Sequence, residues 1–205
     1  MEFIDRSRVD EPKWLIDNAE QWGREWAAKL GVDRQSRWIW HQCDGQGHAD
    51  LVERLRVLTN RHCSYCDAFP MGPRIQSTID HFRPKVEFPS YAYHWENLFL
   101  SCSLCQKKTF DEQLLKPDVR PYDFDYETGE VRPRRGIEEA DYARAEITVK
   151  RLGLNDNGKP EDRRQELERY ESACRGGGTN LDEWSYRFFL CRATGSPSTA
   201  GPGAT

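Results

Sequence analysis

Two cysteine pairs constrain this chain more than any other feature. Cys63-Ser64-Tyr65-Cys66 and Cys102-Ser103-Leu104-Cys105 repeat the same two-residue gap. Such a gap lets both sulfurs of a tight turn face one point about 2.3 Å away. Two such knuckles complete a closed four-thiolate site, the pattern of structural zinc; two unrelated pairs of buried thiols are the blander alternative. The 35 residues between Cys66 and Cys102 exceed a zinc-ribbon spacing, so they form an insert whose ends the metal ties together. Structural zinc contributes on the order of 10 kcal/mol to folding. Redox or iron–sulfur chemistry fits less well, because no cofactor motif accompanies the pairs. Cys43, Cys174 and Cys191 are left over and read as small buried hydrophobes.

A metal clamp matters here because apolar reserves are modest. Hydrophobic residues make up 37% and charged residues 31% of 205 positions, with mean hydropathy −0.87. That length suits one domain with a helical extension. Seven Trp, nine Phe and eight Tyr supply the core. The net charge of −4 argues against a generic nucleic-acid coat, which is usually basic. Charge is uneven, however: residues 61–108 hold six Lys or Arg against four acids, a net of +2 that leaves −6 elsewhere. This permits phosphate binding without demonstrating it. No apolar run approaches the roughly 20 residues of a spanning helix, and the start lacks a signal-peptide layout. A cytoplasmic, reducing location is the expectation, with thiols serving as ligands rather than disulfides.

Periodicity predicts an α+β fold. Residues 12–30 read as a helix with Leu15, Ala19, Trp22, Trp26 and Leu30 on one face, suited to core packing or to a docking surface. Residues 49–62 are a second helix, running into the first knuckle. His41 and His48 match no common zinc spacing and read as loop residues. Residues 120–134 alternate aromatic and acidic side chains around Thr128-Gly129, a β-hairpin signal. Residues 137–155 and 159–178 are helical, and 181–191 is a last apolar helix. The expected division is an N-terminal helical region (1–62), a zinc-framed core (63–118), a hairpin with C-terminal helices (119–191) and a disordered Pro/Gly-rich tail (192–205).

Inside the clamp lies "STIDHFRPK", then "YHWENLFLSCSLCQKKT". Phosphodiester hydrolysis needs a nucleophile, charge neutralisation and leaving-group stabilisation. A neutral imidazole, with a pKa of about 6.5, can take a proton from water, and His81 fits that role. Asp80 precedes it, and neighbours in an extended strand point to opposite sides. Both reach one cleft only if the strand is twisted or bulged; otherwise Asp80 and His81 are a hydrogen-bonded structural pair.

The order of cysteine pair, Asp80-His81, Asn97, cysteine pair and a helix starting near Ser103 resembles an HNH endonuclease of the zinc-framed ββα-metal type. "HCSYCD", "IDHFRPK", "YHWENLFLSCSLC" and Lys108 are most similar to the PtuB-type nuclease subunits of Septu anti-phage systems and to nucleases that accompany some retrons. The strong likeness covers about residues 60–110. It implies a ββα core on a Cys63, Cys66, Cys102, Cys105 zinc site. It also implies Asp80 as ligand of a catalytic Mg²⁺ or Mn²⁺, His81 as general base, and Asn97 as the residue positioning His81. The implied substrate is DNA or RNA and the implied partner an ATPase subunit. The family places Asn or His directly after the last cysteine as the second ligand of the catalytic ion; here Gln106 stands there. Gln also offers a carbonyl oxygen that suits Mg²⁺ or Mn²⁺. It could ligate directly or through water, or mark an impaired enzyme. Arg83, Lys85 and Lys108 are candidate phosphate contacts, solvated surface charge being the alternative; Lys107 is evenly balanced between the two. His94 is a spare base near Asn97. The competing function is a zinc-stabilised binding module without catalysis.

Overall fold

The computed structural model describes residues 4–41, 47–71, 77–107, 110–117, 119 and 121–195. The architecture is α+β. Among the described residues there are five α-helices and two antiparallel pairs of short strands.

Helix α1 (Lys13–Val32) follows Pro12, whose fixed φ and missing N–H suit the edge of a helix. Its buried stripe is Leu15, Trp22, Trp26 and Leu30, as the periodicity implies; Gly31 lies within the helix. Helix α2 (Gly47–Thr59) starts before and ends earlier than its hydrophobic pattern suggests. Asn60 and Arg61 then take positive φ, and the Arg61 N–H donates back to the Arg56 carbonyl at 2.8 Å. This left-handed exit turns the chain straight into the first cysteine knuckle.

Strand β1 (Ser77–His81) pairs with β2 (Leu98–Cys102) in an unbroken register from Ser77 opposite Cys102 to His81 opposite Leu98. The ladder ends on a Phe82 N–H to Asn97 carbonyl bond of 2.9 Å. All five residues of β2 are buried, and α2 packs against it. The helix expected from Ser103 is not formed among the described residues. Cys105–Lys107 make a single 3-10 turn, and residues 110–117 are irregular. Their side chains serve other contacts. Phe110 packs edge-on to Phe82 and Phe88. Asp111 accepts the Gln113 N–H at 2.9 Å, and the Leu115 N–H donates to Thr148 Oγ1 at 3.0 Å.

The hairpin is β3 (Tyr122–Phe124) with β4 (Val131–Pro133), shorter than its sequence pattern. Gly129 closes its turn at φ +76, where a Cβ would strike the Pro160 carbonyl. Helices α3 (Glu139–Arg151), α4 (Lys159–Arg175) and α5 (Arg187–Thr194) complete the chain. Residues 181–191 thus divide into a 3-10 turn (Leu181–Glu183) and the start of α5. Helix α5 runs past the expected tail boundary at 192, and residues 196–205 of that tail lie outside the described residues.

One apolar core draws on residues from Ile4 to Leu154, including all four knuckle cysteines. A second cluster gathers Tyr170, Leu181, Tyr186, Phe189 and Leu190, and Phe124 packs against both. Two leftover cysteines depart from the expected burial: Cys174, in the last turn of α4, is exposed, and Cys191 is half-buried against the second cluster. Cys43 lies outside the described residues. No helix among the described residues is long and apolar enough to cross a membrane.

Candidate metal centre and active site

The cysteine knuckles converge. Cys63, Cys66, Cys102 and Cys105 are buried, and their sulfurs all lie within 4.8 Å of one another. Backbone N–H groups point at the sulfurs, from Cys102 to Cys63 Sγ at 3.4 Å and from Cys105 to Cys102 Sγ at 3.5 Å. Hydrogen bonds from the Cys105, Cys63 and Cys66 thiols drive the Cys102 thiol well below its ordinary value, while burial holds Cys63 up. Buried sulfurs crowded this closely, with amide donors in place, fit a thiolate-loving metal such as zinc.

The clamp reaches the second candidate site through Tyr65, which lies between the first two cysteines. Its buried hydroxyl donates to Asp80 Oδ2. Burial first, and the Asp80 charge next, push this phenol well above its ordinary value, so it remains a donor. By position in the knuckle, Tyr65 is simply a packing residue beside the cysteines. The added role depends on a contact from the knuckle to β1 that no local spacing announces.

Asp80 and His81 line one cavity of about 400 Å³, together with Thr78, Lys85 and Gln106. The strand carries no bulge between them. The cavity instead takes four consecutive residues of β1, from Thr78 to His81, and no residue of β2 is among its lining. Residues of both strand faces can border such a trough. His81 is 8% exposed, its ring stacked on Trp40 at 5.6 Å and edge-on to Trp38 at 5.2 Å. Its Nε2 lies 3.0 Å from the Ala92 carbonyl. A carbonyl can only accept, so Nε2 carries the proton and the basic lone pair of the neutral ring belongs to Nδ1. Trp38 and Trp40 were not foreseen as part of the site; the aromatic run at residues 37–41 was their only signal.

Asn97 is buried and clamps the bend after His81. Its Oδ1 accepts the Arg83 N–H at 2.7 Å, and its Nδ2 donates to the Arg83 carbonyl at 3.1 Å and the Tyr91 carbonyl at 3.0 Å. It holds the backbone of Arg83, two residues after His81, and of Tyr91, the residue before the histidine's carbonyl partner Ala92, rather than the ring itself. Gln106 is exposed at the cavity rim, and its Nε2 donates to Thr78 Oγ1 at 3.1 Å. Carboxylate and amide oxygens bordering one trough suit a hard divalent ion that keeps much of its water.

The cations separate. Lys85 borders the cavity above the Trp38 ring at 5.5 Å; burial pushes its ammonium down and Asp80 pulls it back up. Arg83 lies over Tyr91 at 4.7 Å and borders a neighbouring cavity instead. The side chain of Lys107 and all of Lys108 lie outside the described residues. His94 rests against Tyr91, away from the residues lining the His81 cavity. His41 stacks on Trp22, and His62 sits between the Asn60 and Trp184 carbonyls, both in packing roles. Neither protein-family models nor curated proteins match this chain, so what it does has to be read from these side chains.

Proposed function

We propose that this chain is a metal-dependent nuclease of the HNH type, hydrolysing phosphodiester bonds in DNA or RNA. One observation carries the reading: an imidazole oriented by a backbone carbonyl borders the same trough as a carboxylate, an amide and a lysine. A divalent ion such as Mg²⁺ or Mn²⁺, when bound, neutralises phosphate charge and stabilises the departing oxygen. Asp80 and Gln106 are the residues that would hold it. Tyr65 fixes one carboxylate oxygen of Asp80. The Ala92 carbonyl fixes His81 in the tautomer whose Nδ1 takes the proton from the attacking water. Asn97 locks the bend that carries this geometry. Lys85 offers a phosphate contact. Zinc on the four cysteines is the structural clamp.

The resemblance further supports an effector of anti-phage defence acting with an ATPase subunit. The acidic chain with its small basic window suits a subunit that relies on a partner for nucleic-acid affinity. The test is cleavage of plasmid DNA and of RNA by wild type and His81→Ala, with and without Mg²⁺ or Mn²⁺. The nuclease reading expects ion-dependent cutting that His81→Ala reduces at least a hundredfold. Equal cutting by both forms removes His81 from the chemistry. The enclosure of His81 between two tryptophans favours a second reading, a zinc-stabilised binding module. Zinc as the sole metal bound, with no effect of a second ion, selects it.

A further inference from the structure

A second cavity, of about 580 Å³, adjoins the trough. Phe110 lines both, and the bend after His81 forms the wall between them: Phe82 and Arg83 border the second cavity, Pro84 and Lys85 the first. Its lining is mixed: Phe82 and Leu114 are buried and Phe88 and Phe110 half-buried, while Glu112, Asp141 and Arg144 add charge of both signs. Phe110 meets both other phenylalanine rings edge-on, at 6.3 Å and 5.3 Å. Arg83 and Lys116 stand among the lining residues, and the Arg83 guanidinium lies 5.6 Å from the Phe88 ring centre. The volume falls in the range of small-ligand sites, and aromatic walls with adjoining cations match a flat heteroaromatic group attached to phosphates.

Resting on the nuclease reading above, we propose that this cavity receives an unpaired nucleobase next to the phosphate being cut. The substrate is then a single-stranded or locally melted nucleic acid. A base held in a duplex has its faces stacked and its Watson–Crick edge paired. It could enter only after leaving the helix, at a cost an unpaired base does not bear. Continuity with the trough through Phe110 favours this occupant over an apolar side chain of a protein partner, for which the cavity's position beside Asp80 and His81 would have no purpose.

The experiment measures binding of a fluorescent single strand of about 12 nucleotides, and of the matching duplex, without added Mg²⁺ or Mn²⁺. Wild type should bind the single strand more tightly. Phe88→Leu keeps apolar volume but removes the aromatic face, and should weaken single-strand binding roughly tenfold while leaving duplex binding unchanged. Lys116→Gln should lower the salt dependence of single-strand binding by about one phosphate contact, a readout that remains if Phe88→Leu folds poorly. No single-strand binding by wild type overturns the proposal. So does equal affinity for strand and duplex, or Phe88→Leu and Lys116→Gln both binding as wild type does, as a partner-docking cavity would give. Cleavage assays separate this from the nuclease reading. A protein that binds through Phe88 and cuts nothing keeps the subsite and loses the nuclease. One that cuts strand and duplex alike, with both variants harmless, keeps the nuclease and loses the subsite.

Discussion

A single hydroxyl joins the two halves of this site. Tyr65 belongs to the cysteine knuckle by position and to Asp80 by hydrogen bond, with both partners buried. Tyr65→Phe keeps the ring and removes the donor, so one charged oxygen loses a partner in the interior. We expect a stability loss of about 2 kcal/mol, read from denaturant midpoints. The four-cysteine metal content should be unchanged, and a higher Mn²⁺ concentration should be needed for half-maximal cleavage. Unchanged ion dependence would make Tyr65 a packing residue only. At this scale the convergence of the four cysteines was legible because it is written in spacings of a few residues, and Asp80 and His81, adjacent in sequence, border one cavity. Tyr65, Trp38 and Trp40 were not, because their contacts with Asp80 and His81 join segments well apart in the chain.

Among the elements, α1 has a task that its tryptophan stripe does not reveal. It presses on the 3-10 turn Pro89–Tyr91, and that turn leads into Ala92, whose carbonyl holds His81. Gly23 makes the approach feasible: a Cβ there would lie 2.9 Å from the Ser90 carbonyl oxygen and 3.3 Å from its Cα. Gly23→Ala should therefore cost about 1–3 kcal/mol by overpacking, although alanine is the better helix former. Gly31, in the same helix and with nothing within 4 Å, is the control. Gly31→Ala should stabilise by up to about 1 kcal/mol. Thermal melts of the two variants check the opposite signs. Helices α1 to α4 were legible from apolar periodicity and terminal Pro or Gly residues. The helix expected from near Ser103 is not formed among the described residues, where Phe110, Asp111 and Leu115 find their partners outside any helical repeat.

For the molecule as a whole, a buried ion pair ties α5 to the segment that carries the four-cysteine cluster. Arg187 at the start of α5 reaches Asp67, next to Cys66, at 2.8 Å and Asp182 at 2.9 Å. The Asp67 carboxylate also accepts the Arg187 N–H at 2.6 Å. Burial alone would raise the Asp67 carboxyl, but Arg187 and His62 outweigh it and hold the group below its usual range. Arg187→Ala strands that carboxylate in the interior and should cost about 3–5 kcal/mol by chemical denaturation, with Arg187→Met close behind because it restores volume but not charge. Such long-range ties are invisible to periodicity, which is why the C-terminal helices could be recognised but not docked. On the proposed function, one thiolate clamp and one oxygen-lined trough divide two metal tasks between them. Anomalous diffraction from zinc-containing crystals soaked in Mn²⁺ locates both metals at once. Zinc is expected at the four sulfurs and manganese between Asp80 and Gln106, the second lost in Asp80→Ala while the first stays. Metal at the sulfurs alone, in wild type at saturating Mn²⁺, would contradict this division of tasks.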